Sequence, residues 1–375
     1  MVYQYILSVG AGRNQLILIN EIKRMGYFVI SCDLDPNAPG KELSDIFFNI
    51  STHDYNLIIK EIINLGVKLL GVVTRSTGQP VVTTSKIAEK FGLCALNSGI
   101  AEILTDKYLF LQKMNYLNAP SPILNIVTND LNIDQIDFPV FVKPSKTNIS
   151  HAAMKKCENI SELKKAYREA SKISQNKLVN IEEYLIGYDL ASIDYVFDGE
   201  VIHVTSVGEI STGEPNFDGI GWYSCKRNAC FDKLAQETFC KIKNVLGIKN
   251  GFFQSAMKAN TENYRAKVYE IHAEIGGDLV NDIFVPKVTD GYNIFENNIL
   301  FSLGIKPSYC LDFVKPAVIL FRDKINKYSL RYENILIDKQ ILSDQYVMLF
   351  FKSFSGLKEY LEQLSLQENF SVKNK

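Results

Sequence analysis

Ile181-Glu182-Glu183-Tyr184-Leu185-Ile186-Gly187-Tyr188-Asp189 is the stretch on which the reading of this chain turns. A strand, Leu178 to Leu185, ends in acids and bulky residues and breaks at a glycine. A second strand, Leu190 to Phe197, follows and turns back through Asp198-Gly199 into Val201 to Val207, a hairpin signal. Upstream, Phe138-Pro139-Val140-Phe141-Val142-Lys143-Pro144 is a short strand whose last side chains are a lysine and a proline. Such a lysine points into a cleft or into solvent, and its ammonium can hold a phosphate as a point charge. Thr105-Asp106-Lys107 sets a second lysine in a comparable place. Alone, each lysine reads as a surface charge; the three segments in this order do not read as accident.

Toward the N-terminus the pattern is strand, helix, strand, helix, strand, which predicts a parallel sheet with right-handed crossovers. The strands are Ile6 to Val9, Tyr27 to Cys32 and Leu69 to Val73. The helices carry apolar positions Leu16, Ile19, Ile22 and Met25, then Leu57, Ile58, Ile62 and Leu65. Pro80 suits the first turn of a further helix ending near Phe91. Gly10-Ala11-Gly12 follows the first strand, where a helix N-terminus can receive a phosphate. A dinucleotide fingerprint also needs a glycine where Gln15 stands, so a tight turn is the preferred reading and a nicotinamide oxidoreductase the weaker one. Thr74-Arg75-Ser76-Thr77-Gly78-Gln79 lies at a strand's carboxyl end, the ligand edge of open α/β sheets. Arg75 with Ser76 and Thr77 suits a grip on a substrate carboxylate, against the alternative of a capping loop.

The chain has 375 residues, 46% hydrophobic and 22% charged, which predicts two to three globular domains and excludes fibres and disorder. Lys+Arg is 41 and Asp+Glu is 42, for a net charge of −1, so no basic excess favours nucleic acid. No apolar run is long enough to span a membrane, and the first residues read as a strand rather than a signal peptide. Seven cysteines form no C-x-x-C pair or zinc spacing, as expected of buried, reduced thiols in a cytoplasmic protein.

From about Thr105 the pattern changes to α+β, with Pro120, Pro122 and Pro139 punctuating a linker. Ser161 is expected to cap a helix through Ile173. A long helix, Phe231 to Leu246, stops at Gly247. Gly251 to Lys258 and Ala266 to Glu274 are strands joined by a polar turn. A last helix spans about Gly356 to Leu366.

Taken together these segments resemble the ATP-grasp superfamily of carboxylate–amine ligases over nearly the whole length. The resemblance rests on the opening glycine turn and Asp35 to Gly40, on Lys107 and Lys143, and on the hinge and the strands Gly251 to Phe253 and Tyr269 to Asp278. It implies that Lys107 and Lys143 hold nucleotide phosphates, Lys143 as a catalytic residue. Glu182, Glu183, Tyr184 and Leu185 would form the hinge that reads adenine by its backbone, with Asp189 on the ribose. Ser150 would belong to the loop over the phosphates.

The same comparison exposes departures. The phosphate loop reads Ser150-His151-Ala152-Ala153, without the family's glycine. Ala256 stands where the first metal strand carries Glu. The second strand keeps Glu270, but His272 replaces Asn and Glu274 replaces Arg. Strand alternation puts 270, 272 and 274 on one face. Glu270, His272 and Glu274 are therefore expected as metal ligands, weak for magnesium and better for manganese, with Glu274 also catalytic. Replacing Arg by Glu274 reverses a charge worth on the order of 4 kcal/mol beside a triphosphate.

The expected fold is thus α/β: an N-terminal Rossmann-like parallel-sheet domain (1–104), then an α+β ATP-grasp module. That module comprises a small lid (105–185) and a larger part with a C-terminal extension (186–375). The expected function is ATP-dependent, ADP-forming ligation of a small-molecule carboxylate to an amine through an acyl phosphate, with Mg or Mn. No nucleic-acid or membrane partner is expected, and a homodimer is compatible with the reading. The alternative is a non-catalytic or regulatory nucleotide-binding relative.

Overall fold

The computed structural model describes residues 4–125, 136–147, 153–212, 217–277, 279–310, 313–367 and 373–374. The N-terminal unit holds strands β1 (Gln4–Val9), β2 (Phe28–Cys32), β3 (Ile46–Phe48) and β4 (Lys68–Thr74), with helices α1 (Leu16–Arg24), α2 (Tyr55–Leu65) and α3 (Gln79–Phe91). The strand order is β3-β2-β1-β4, all neighbours parallel. Ile6, Leu7 and Val9 of β1 are fully buried, as a strand covered by helices on both faces requires. Sequence pattern did not reveal β3, because its three half-buried residues have no period to read. Pro80 lies in the first turn of α3, where its missing N–H costs nothing.

Helices α4 (Ser98–Leu104) and α5 (Lys107–Tyr116) lead into a small sheet of β5 (Leu124–Asn125), β6 (Val140–Pro144), β7 (Lys155–Cys157) and β8 (Val179–Glu183), ordered β5-β8-β6-β7. Helix α6 (Ile160–Ile173) covers it through Leu163, Ala166 and Ala170. Its cap is Asn159 rather than the expected Ser161. The Asn159 side chain accepts from Glu162 N at 3.1 Å, and Glu162 reaches back to Glu158 N at 3.0 Å. This reciprocal arrangement satisfies two free donors at once.

The large sheet contains β9 (Gly187–Phe197), β10 (Glu200–Ser211), β11 (Gly219–Ser224), β12 (Gly251–Asn260), β13 (Arg265–His272), β14 (Ala317–Phe321), β15 (Ile337–Leu342) and β16 (Tyr346–Phe351). A short β17 (Lys373–Asn374) pairs with the start of β9. The order is β13-β12-β9-β10-β11-β14-β16-β15. Phe197 pairs with Glu200 across Asp198 and Gly199, whose φ angles of 50° and 83° give the expected two-residue turn. Helix α7 (Cys230–Leu246) lies across β9, β10, β12 and β13, and stops at Gly247 with φ 65°. Further α-helices are α8 (Val285–Val288), α9 (Ile294–Ser302), α10 (Arg322–Tyr328) and α11 (Phe354–Ser365). α9 packs on β4 and α1, joining the large part to the N-terminal unit.

No helix among the described residues is long and apolar enough to cross a membrane. All seven cysteines are free thiols. The expected burial holds for Cys32, Cys157, Cys225 and Cys310, while Cys94 and Cys240 are half-buried and Cys230 is exposed.

Candidate functional site

Three units of the fold meet at the edge strand β13. Asp106 caps α5 by accepting from Tyr108 N at 2.9 Å and Leu109 N at 3.1 Å, which sets Lys107 at the helix start. From there Lys107 Nζ donates to Glu270 Oε1. Lys143 closes β6, where Phe141 pairs with Glu182 of β8. Its Nζ lies 2.9 Å from Glu182 Oε1 and 5.9 Å from the centre of the Tyr269 ring. Lys143 and Glu182 are both buried, so neither charge is tolerable without the other. Burial pushes the Glu270 carboxyl up, but Lys107, His272 and Lys143 outweigh it and hold Glu270 well below the usual carboxylate range. Both sequence-predicted lysines thus approach β13 from two separate elements, Lys107 at Glu270 and Lys143 at the Tyr269 ring.

The hinge residues divide their work. The Glu182 side chain is the counter-ion of Lys143 and accepts from Asn180 Nδ2 at 2.9 Å. Glu183 ties the small sheet to β13 through Lys267 Nζ at 2.7 and 2.5 Å, and accepts from Ile123 N at 3.1 Å. The amides of Glu183 and Tyr184 already donate to Ile123 O and Pro139 O, at 2.9 and 3.3 Å. The Leu185 amide has no partner among the described residues. Gly187 follows at φ 148°, and a Cβ there would sit 2.3 Å from Ala259 O, so only glycine lets the hinge run this close to β12. Asp189 sits in the same cleft, bound by Lys258 Nζ at 2.5 Å and Tyr269 Oη at 3.4 Å.

Lys258, Lys267 and Tyr269 were missed as candidates. Lys258 and Lys267 pair directly across β12 and β13. The available signal was the alternation 254, 256, 258 on β12, which puts Lys258 on the face of Ala256.

Ala256 pairs with Glu270, and Gln254 with His272, so the expected metal face is real as a face. It is not arranged as a metal cage. Among the described residues no three His, Cys, Asp or Glu side chains are grouped to hold an ion. Instead His272 bridges two carboxylates, with Nδ1 3.2 Å from Glu274 and Nε2 3.8 Å from Glu270. Burial opposes its charge, but Glu270 and Glu274 raise it to about 9, so the ring carries a proton between two acids. A metal using this imidazole would have to displace that proton first. Glu270 is then the carboxylate best placed for magnesium, which is commonly held by one or two carboxylates with phosphate oxygens and water.

The proposed carboxylate grip looks different in place. The Arg75 side chain is buried at the boundary of the N-terminal unit and the large part. Its Nη2 donates to Asp282 Oδ1 at 2.5 Å and its Nη1 to Asn14 O at 2.9 Å, while the guanidinium lies 5.2 Å from the Phe295 ring centre. Arg75 therefore has an anion within the chain, and a substrate carboxylate would have to displace Asp282. Ser76 Oγ accepts from Gln15 Nε2 at 2.8 Å, and Thr77 is exposed. The Gly10-Ala11-Gly12 turn is also supplied internally, since Ala11 N donates to Asp33 Oδ2 at 3.0 Å. That carboxylate sits where a dinucleotide phosphate would be received, which removes the support for a nicotinamide site. Ser150, His151 and Ala152 lie outside the described residues.

Residues 100–243 match the family model described as D-ala D-ala ligase C-terminus. The whole chain is similar in structure to phosphoribosylglycinamide synthetase from Anaerococcus prevotii, with a TM-score of 0.71, 15% identity, and 99% of each chain covered. It is similar to L-amino acid ligase from Bacillus licheniformis at a TM-score of 0.69 and 16% identity, with 98% of each covered. N5-carboxyaminoimidazole synthetase from Staphylococcus aureus, complexed with ADP, matches at 0.70 and 14%, covering 97% of this chain and 98% of that one. With Lys107 and Lys143 converging on β13 from two elements, and with this similarity running from end to end, the chain has the ATP-grasp fold.

Proposed function

We propose that the protein is an ATP-dependent, ADP-forming carboxylate–amine ligase. The observation that carries the reading is the convergence of Lys107 and Lys143 on β13, with a hinge whose Leu185 amide has no partner among the described residues. In it, adenine meets the hinge at Leu185, ribose meets Asp189, and the phosphates replace the carboxylates now paired with Lys107 and Lys143. Magnesium on Glu270 would neutralise charge on the phosphates. A substrate carboxylate oxygen attacks the γ-phosphorus and ADP leaves. The amine then attacks the acyl carbon, phosphate leaves, and the amine proton passes to solvent. Positioning and charge neutralisation supply the catalysis. Small-molecule partners and a cytoplasmic setting with reduced cysteines accord with this.

A non-catalytic nucleotide binder is the second reading, favoured by Ala256 opposite Glu270 and by the engaged His272. Calorimetry with ATP, followed by phosphate release over pairs of amino acids with magnesium, separates them. Amine- and carboxylate-dependent phosphate release supports the ligase; ATP binding with no turnover over the whole panel supports the second reading.

A further inference from the structure

A recess of about 50 Å³ lies between the N-terminal unit and the large part, lined by Thr74, Thr84, Ser85, Asn298, Phe301 and Glu274 among others. That volume accommodates a group of a few heavy atoms, since one water occupies roughly 10–15 Å³ on this measure. Glu274 is the one ionisable residue of the lining. It is 4% exposed, and its only partner among the described residues is His272 Nδ1, on Oε1 at 3.2 Å. The second oxygen, Oε2, has none. Oε2 is not among the side-chain atoms sealed from solvent without a partner, so a donor brought by a ligand can reach it. Thr74 and Thr84 do not, because their hydroxyls donate to Val9 O at 2.8 Å and Pro80 O at 2.9 Å. The lining therefore presents one carboxylate, beside the Ser85 hydroxyl and the Asn298 amide, within an otherwise largely apolar wall.

We infer that this recess receives the amino group of the acceptor amine, with Glu274 Oε2 taking an N–H. The inference rests on the ligase reading for its place in the reaction, though not for the binding itself. Position supports it. Glu270 and Glu274 flank a single imidazole ring, so the carboxylate that lines the recess lies one ring's width from the one that engages the phosphate lysine Lys107. An amine held there stands beside the place where an acyl phosphate would form. Chemistry supports it too, since a carboxylate ligand would meet the like charge of Glu274 and a thioether or alkane would leave Oε2 without a donor. The acceptor is thus a small or unbranched amine, such as a compact amino acid, and not one whose anionic group leads into the recess.

The test uses the full chain without ATP, so that it does not depend on turnover. Ligand-observed NMR would compare ethylammonium with propionate as probes. Ethylammonium is expected to bind at millimolar concentration and propionate not at all. Glu274→Gln, which keeps the shape, should weaken ethylammonium about tenfold or more. Glu274→Asp, with the carboxylate drawn back, should weaken it less while keeping the preference for the cation. Melting curves for both variants establish that they fold. Propionate binding as well as ethylammonium, or ethylammonium binding unchanged in folded Glu274→Gln, overturns the inference. Should ethylammonium bind as expected while the chain turns over no ATP with any pair, the ligase reading fails and the amine site stands.

Discussion

Arg75 Nη2 and Asp282 Oδ1 meet at 2.5 Å across the boundary between the parallel-sheet unit and the large part, from positions 207 residues apart. The Arg75 side chain is 5% exposed and that of Asp282 21%. Removing one member of such a pair leaves the other charge without compensation. Asp282 keeps some access to water, so Arg75→Ala should cost about 2–3 kcal/mol in urea unfolding, below the range for a fully buried pair. A role confined to substrate binding predicts something else: unchanged stability and a raised KM for the carboxylate. Measuring both on one preparation separates a strut from a substrate grip.

Lys107 offers a cleaner test of nucleotide binding than Lys143. Its side chain is 33% exposed, and its partner Glu270 keeps Lys143 and His272 nearby. Lys107→Met should therefore fold normally. The loss of a charge-assisted contact to phosphate should weaken ATP by roughly 10–100-fold in calorimetry. Equal affinity in the variant and the parent would separate Lys107 from the phosphates.

A buried charge cluster unrelated to the cleft sets a pH dependence. His203 on β10 lies 2.7 Å from Asp194 on β9 by Nδ1 and 3.0 Å from Asp232 on α7 by Nε2. Burial opposes its charge, but Asp194 and Asp232 outweigh it and raise its pKa to about 9 from a usual 6.5. The unfolded chain loses this proton near 6.5 and the folded one near 9. The stabilisation, on the order of 3 kcal/mol, is complete below about 6.5 and declines as pH rises through 9. Urea midpoints should fall between pH 7 and pH 9.5, and that fall should shrink in His203→Gln. Parallel curves for the two proteins over this range would remove His203 as the cause.

Local signals were legible and long-range pairings were not. Asp198-Gly199, Pro80 and Gly247 announce a turn, a helix start and a helix stop because their backbone preferences act within a few residues. Lys107, Lys143 and Asp189 were legible as candidates from their place at element ends. Their partners were not, because Glu270, Glu182 and Lys258 come from other strands, 163 residues away in the first case. The same reason hid the Asp33 carboxylate beneath the glycine turn and the Asp282 partner of Arg75. Strand alternation correctly set 270 and 272 on one face. It does not say whether an imidazole on that face will hold a metal or a proton, which depends on the two carboxylates that bracket it.

The register of β12 and β13 supplies the most direct test of the metal face. Ala256 pairs with Glu270, and directly opposed residues on one face of an antiparallel pair carry Cβ atoms about 5 Å apart. Ala256 is only half-buried, so a longer side chain can extend toward the cleft. Ala256→Glu would set a second carboxylate beside the first, close enough for both to reach one hard cation with the remaining positions left to phosphate oxygens and water. Titration of the ATP complex with magnesium should then show affinity increased about tenfold or more, the worth of one further charge-assisted contact. Without metal the added carboxylate repels the phosphates, so metal-free ATP affinity should fall while magnesium affinity rises. If magnesium affinity stays at the parent level while the variant folds, the face between Ala256 and Glu270 does not hold the metal. Glu270 would then serve Lys107 alone.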